Sequence, residues 1–243
     1  LLPSYGGASS AGTAGQQSYA AAAEAAVQAQ VATMLDQGTI WLPNGTHAFG
    51  ANGRDCTVTI QDGTGPTGVT VNGQEVACPA PPAAGWAYDA ATGSLSLTNA
   101  GPFTLAGANA AGRVRVAVPQ GIASTVTLSN LTLRATGAGQ CAFALGENAS
   151  VALRLAGTNA LASGSNRAGL EVAFGRTLSI TSAPGHEAGA LTATGGDWGA
   201  GIGGGNGAGG TVTISGGTVT ATGDTFAAGI GGGHGGDGGA VTI

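Results

Sequence analysis

Few of the 243 residues carry side chains that could do chemistry, and most of those stand apart. The acids of the second half, Glu147, Glu171, Glu187, Asp197, Asp224 and Asp237, are scattered rather than clustered. Calcium needs several oxygen ligands brought together, and proton transfer needs a positioned acid or base. His186-Glu187 is an adjacent pair inside a turn, Pro184 to Gly189, and reads as a solvated corner. Gly232-Gly233-His234-Gly235-Gly236-Asp237 partly follows the calcium-binding nonapeptide pattern, but Gly239 stands where that pattern needs a large apolar residue. The corresponding earlier turn, Gly204 to Gly209, lacks the Asp, so a plain glycine corner is expected. Two aromatics are more suggestive. Trp198 and Phe226 occupy matched places in a repeat, each just before an Ala-Gly-Ile segment. On neighbouring turns they could form a platform for a sugar ring, or simply fill a corner.

The cysteines, Cys56, Cys78 and Cys141, match no zinc spacing, and the histidines lie far from them. Cys56 and Cys78 flank a segment that reads as a hairpin. They form either a disulfide in an oxidising compartment or two separate buried thiols. Cys141 sits in an apolar stretch and reads as core. No catalytic residue, cofactor or metal ligand is expected.

Composition narrows the function classes. Glycine supplies 48 residues, charged residues only 8%, and net charge is −5. There is no lysine; the seven basic residues are all arginine. Phosphate backbones and anionic lipid heads both need a basic footprint, so binding to neither is expected, and with no run of 18 apolar residues no membrane insertion of this segment is expected. The 42% hydrophobic share, made of small aliphatics, is enough for a core.

The elements that would position these side chains read as follows. Residues 1–16 are a Gly/Ala/Ser leader. Residues 17–38 form an Ala-rich helix, with Tyr19, Val27, Val31, Met34 and Leu35 on one stripe and Gly38 as its C-terminal cap. Residues 39–107 are short strands and turns, among them Asn44-Gly45 and Asn72-Gly73, with a break at the Pro79 to Pro82 cluster. They serve as early coil turns or as a cap. Residues 108–243 are a glycine-rich repeat of roughly 26–32 residues, clearest where Ala200 to Gly205 recurs at Ala228 to Gly233. Each unit holds three short strands, an Ala-Gly-Ile, a Val-Thr-Ile and a Val-Thr-Ala-Thr segment. Strands this short bury nothing alone but form a core when successive turns stack. The expected fold is all-β, a parallel β-helix with three strands per turn. The Ala-rich helix would cover its open N-terminal edge. The repeat stops within a unit at Ile243, so the natural protein is expected to continue.

Gly199 to Gly205 followed by Gly210 to Ala221 resembles a repeat of large bacterial surface proteins, a family described as adhesin-like or as containing a carbohydrate-binding domain. The resemblance covers residues 113–243. It implies a right-handed β-helix, secretion and attachment to a bacterial cell surface. No glycan-site motif residue carries over from that family.

The functional expectation is a non-catalytic extracellular structural or adhesive protein. It would serve as a fibre or filament subunit that self-associates end to end or through the helix. The alternatives are a carbohydrate-binding adhesin and a phage tail-fibre module. Polysaccharide lyases also use β-helices, but the acidic cluster and lysine base are missing. A Thr ladder, Thr192 and Thr194 beside Thr220 and Thr222 with Thr136 extending it, is too small an array for ice binding. Asn44, Asn130 and Asn148 head N-glycosylation patterns that would be silent in a bacterium.

Overall fold

The computed structural model describes residues 45–51, 54–60, 67–76, 84–109, 112, 114–135 and 137–243. The leader, the Ala-rich helix with its capping role, Asn44, Cys78 and Thr136 lie outside them. The chain divides into two units, residues 1–65 and 66–243.

In the first unit β1 (Gly45–Ala51) pairs antiparallel with β2 (Arg54–Ile60), Ala51 opposite Arg54. The two residues between them are Asn52-Gly53, a strong hairpin signal. Of the segment between Cys56 and Cys78 that reads as a hairpin, residues 57–60 pair with β1, which lies before that segment, and residues 69–75 form a hairpin of their own.

The second unit is a coil of stacked strands. β3 (Val69–Val71) and β4 (Gln74–Glu75) form a hairpin whose turn, Asn72-Gly73, has positive φ at both positions (51° and 83°). This is the backbone an Asn-Gly pair favours. β5 (Trp86–Asp89) pairs antiparallel with β6 (Ser94–Leu97). From β6 onward the ladder is parallel. β7 (Phe103–Ala108), β8 (Arg115–Val118) and β9 (Ala123–Ala135) lead into three full triplets. These are β10 (Phe143–Leu145), β11 (Ser150–Ala156) and β12 (Thr158–Ser163); then β13 (Leu170–Glu171), β14 (Thr177–Ser182) and β15 (Ala190–Thr194). The third is β16 (Ile202–Gly203), β17 (Thr211–Ile214) and β18 (Thr218–Thr222), followed by β19 (Ile230–Gly231) and β20 (Val241–Thr242).

Each strand pairs with its counterpart one turn away, so the described part of this unit is a parallel β-helix. β9 serves two columns: its first half pairs with β11 and its second with β12. It passes the corner at Asn130 (φ 52°), where the next turn bends at Gly157 (φ 63°). The parallel ladder starts earlier than the repeat read from sequence, because β6 already pairs parallel with β8. At that end the antiparallel strands cover it, β5 on β6 and β3 on β7.

Alternation drives the packing. Inward positions stack into aliphatic ladders, one running Phe103, Val126, Leu153, Ile180, Ile214 and another Leu95, Val116, Phe143, Leu170, Ile202, Ile230. Most of these side chains are fully buried, and each contributes roughly 1.5–3 kcal/mol. Thr, Ser and Ala alternate outward. Buried Asn159 ties three turns together. Its Oδ1 accepts from Leu131 N at 2.9 Å, and its Nδ2 donates to Ala156 O at 3.1 Å and Ala190 O at 3.0 Å.

The recurring Ala-Gly-Ile-Gly-Gly-Gly segments have a steric cause. Gly203 and Gly231 adopt φ of 134° and 138°, and a Cβ on Gly203 would collide with Gly231 O. Only glycine fits where one turn presses on the next.

Candidate aromatic binding surface

The two-residue strands β16 and β19 leave their corner loops close together on one side of the coil. Trp198 lies in the loop between β15 and β16, and Phe226 one turn on, between β18 and β19. Trp198 adopts φ 68°, a left-handed conformation that a bulky side chain rarely takes. Two hydrogen bonds hold it there. Its amide donates to Asp224 Oδ2 at 3.1 Å, and its carbonyl accepts from His234 N at 2.9 Å. Asp224 lies at the surface. The amides of Thr225 and Trp198 on its carboxylate nevertheless hold its pKa below the usual value.

The side chains assemble over this turn. The Trp198 and His234 rings stack with centroids 5.3 Å apart and planes 28° from parallel. Phe226 meets His234 edge-on, 5.9 Å away at 88°. Trp198 is 44% exposed and Phe226 64%, so the cluster forms an open ridge. The sequence pairs Trp198 with Phe226 directly; the ring contacts run through His234. From sequence that histidine belongs to a plain glycine corner. The signal that could have found it is the brevity of the Ala-Gly-Ile strand: the chain folds back across it within one corner, Ala200 N donating to Gly204 O and Ala228 N to Gly232 O, which returns the loop after β19 toward the loop before β16.

The other sequence candidates fall elsewhere. His186 and Glu187 are exposed in a turn where His186 N donates to Ala183 O. Asp237 gives its backbone carbonyl to Gly209 N, and among the described residues no three metal-ligating side chains converge. Thr192 and Thr194 lie opposite Thr220 and Thr222, but the preceding turn has Ala160 and Ala162 at those places. The Thr ladder is therefore two rungs deep. Cys141 is buried, with Sγ 3.2 Å from Phe143 O and 3.3 Å from Ala168 O. Burial, and next the negative charge of Glu171, push its thiol up to about 12. Cys56 lies on β2, and the Cys56–Cys78 question involves a residue outside the described ones.

Residues 212–234, which span β17 to β19 and include both Phe226 and His234, match the family model described as a β-helix repeat. The chain is a parallel β-helix repeat protein. No curated protein and no solved structure matches it. The β-helix repeat serves enzymes and non-enzymes alike, so the fold assigns no activity to this one. Among the described residues of this β-helix, no helix is long and apolar enough to cross a membrane.

Proposed function

We propose that this β-helix is a non-catalytic, extracellular adhesive module of a bacterial surface, binding glycans through the Trp198–His234–Phe226 ridge. One observation carries the reading: Trp198 is held in an unfavourable left-handed backbone conformation with its ring exposed. Strain of this kind persists where the surroundings over-determine it, and an exposed aromatic gains nothing from solvent. Aromatic faces stack on the apolar faces of sugar rings while the hydroxyls stay hydrated. The few charges in the chain suit an uncharged partner.

Glycan-array binding by the purified chain tests this reading. Trp198→Ala should abolish the signal, and Phe226→Ala should weaken it. Full binding by Trp198→Ala would remove the ridge from the argument.

The neutral composition and the stacked repeat also favour a structural role, in which the coil is a subunit of a surface fibre. Sedimentation velocity across concentrations separates the forms. Growing end-to-end species support the fibre, discrete trimers support a phage tail-fibre module, and a strict monomer removes both.

A further inference from the structure

A second feature rests on the glycan reading and narrows it. An open depression of about 470 Å³ lies on the same side of the coil, lined by Asn166, Arg167, Glu171, Phe174, Gly205 and Asn206 among others. It is connected to the ridge through the backbone: Asn166 N donates to Asp197 O at 2.7 Å, and Asp197 precedes Trp198.

Its floor contains a half-satisfied carboxylate. The Glu171 side chain is 9% exposed. Oε1 accepts from Arg167 Nη1 at 2.8 Å, while Arg167 Nε is tied to Gly139 O at 3.0 Å. Oε2 is shielded from solvent and has no hydrogen-bond partner. A buried acceptor left unpaired carries its full desolvation cost, so this atom calls for a donor. Gly205 packs closely over it: a Cβ there would lie 2.9 Å from Oε2 and 2.6 Å from Asn166 O, so no side chain fits at this position. For a ligand to reach Oε2 the carboxylate must turn toward the depression, and the terminal torsion of a glutamate is soft.

The walls define what can supply the donor. Arg167 and Glu171 cancel, so no net charge attracts an ammonium, a divalent cation or an anion. Asn206 Nδ2 donates to Asn166 Oδ1 at 3.3 Å. Whichever way the two amides are turned, the pair keeps one carbonyl and one NH2 group for a ligand. Phe174, 80% exposed, adds an apolar face. An uncharged occupant that carries several hydroxyls and presents an apolar face suits these walls.

We infer that this depression is a subsite for a neutral sugar residue, with one hydroxyl donating to Glu171 Oε2, others meeting Asn166 and Asn206, and Phe174 against its apolar face. The module then selects uncharged glycans over uronic acids and amino sugars.

The test is an amide NMR titration of the whole chain with methyl α-mannoside, methyl β-galactoside and methyl β-glucoside. Galacturonic acid, glucosamine and calcium chloride are the charged counterparts. A neutral glycoside should saturably shift the amides of residues 205–208, with the charged probes at least about tenfold weaker. Glu171→Gln turns the free acceptor into an amide and should weaken binding about tenfold, the worth of one charge-assisted hydrogen bond. Phe174→Ala and Asn206→Ala alter exposed residues and should each weaken binding severalfold, which keeps the test decisive if Glu171→Gln unfolds. Equal binding of a charged probe, or no effect of these variants, would overturn the subsite. Array binding that is lost in Trp198→Ala but intact in Glu171→Gln and Phe174→Ala would overturn the subsite and leave the adhesive reading standing. No glycan binding by the wild type would overturn both.

Discussion

Trp198→Gly should be more stable than Trp198→Ala, by about 1 kcal/mol. At an ordinary position the order is the reverse, because glycine gains more freedom on unfolding and costs roughly 0.5–1 kcal/mol relative to alanine. At φ 68° the alanine Cβ crowds the neighbouring backbone, which costs about 1–2 kcal/mol, and glycine does not. The difference leaves glycine ahead by about 1 kcal/mol. Everything else cancels in the comparison. Both variants remove the ring and its stack on His234, and both keep the amide bond to Asp224 and the carbonyl bond from His234 N. Urea unfolding followed by far-UV circular dichroism measures the gap, with equal m-values required so that the midpoints can be compared. Array binding is read on the same samples and should be lost in both. An alanine variant more stable than the glycine variant, the order found at an ordinary position, would show that residue 198 is not held left-handed and would remove the strain as a sign of function.

Asn159→Ala should destabilise the coil by roughly 1–3 kcal/mol, chiefly because it leaves buried Leu131 N without its acceptor and also removes the Nδ2 bonds to Ala156 O and Ala190 O; chemical denaturation reads this directly. Cys141 should resist iodoacetamide at pH 8 in the folded chain and react on unfolding. Its folded value, about 12, lies above the ordinary 9.0, so its contribution to stability is complete below pH 9 and is lost as pH rises from 9 toward 12. For Asp224 the sign is opposite. Its lowered pKa means the turn is braced above the ordinary carboxyl value of 3.8 and released as pH falls through the lower folded value. Hydrogen exchange at the Trp198 amide should accelerate there in the wild type, and Asp224→Asn, which keeps an acceptor without the charge, should show no such step.

The repeating part of the fold is legible in the sequence because its cause is local. Val212-Thr213-Ile214 and Val219-Thr220-Ala221 alternate as strands do, and glycine marks the positions where turns press together. The start of the parallel ladder is not legible. There the turns are shorter, with Leu95 opposite Val116 and Leu105 opposite Leu128, whereas later Ile202 stands opposite Ile230. No fixed period shows through such corners. Trp198 and Phe226 stand out because an aromatic recurs at the same place one turn on, in the register that pairs Ile202 with Ile230. His234 does not, because it belongs to the following corner and reaches back across the two-residue strand. Glu171 reads as one scattered acid among several, since its unpaired oxygen depends on Gly205, which the chain supplies only in the next turn.

The direction of the ladder has a mechanical consequence. Backbone hydrogen bonds between turns point along the coil axis, as in Leu170 N to Gly201 O and Ile202 N to Gly229 O. A pull along that axis loads the turns in series, so the coil would peel one turn at a time. Each released turn of about 28 residues yields roughly 90–100 Å of chain. Asn159 spans three successive turns and is placed to arrest that peeling at the centre. Under tension the module would therefore behave as a ratcheted extension spring, dissipating force stepwise before the centre of its coil gives way.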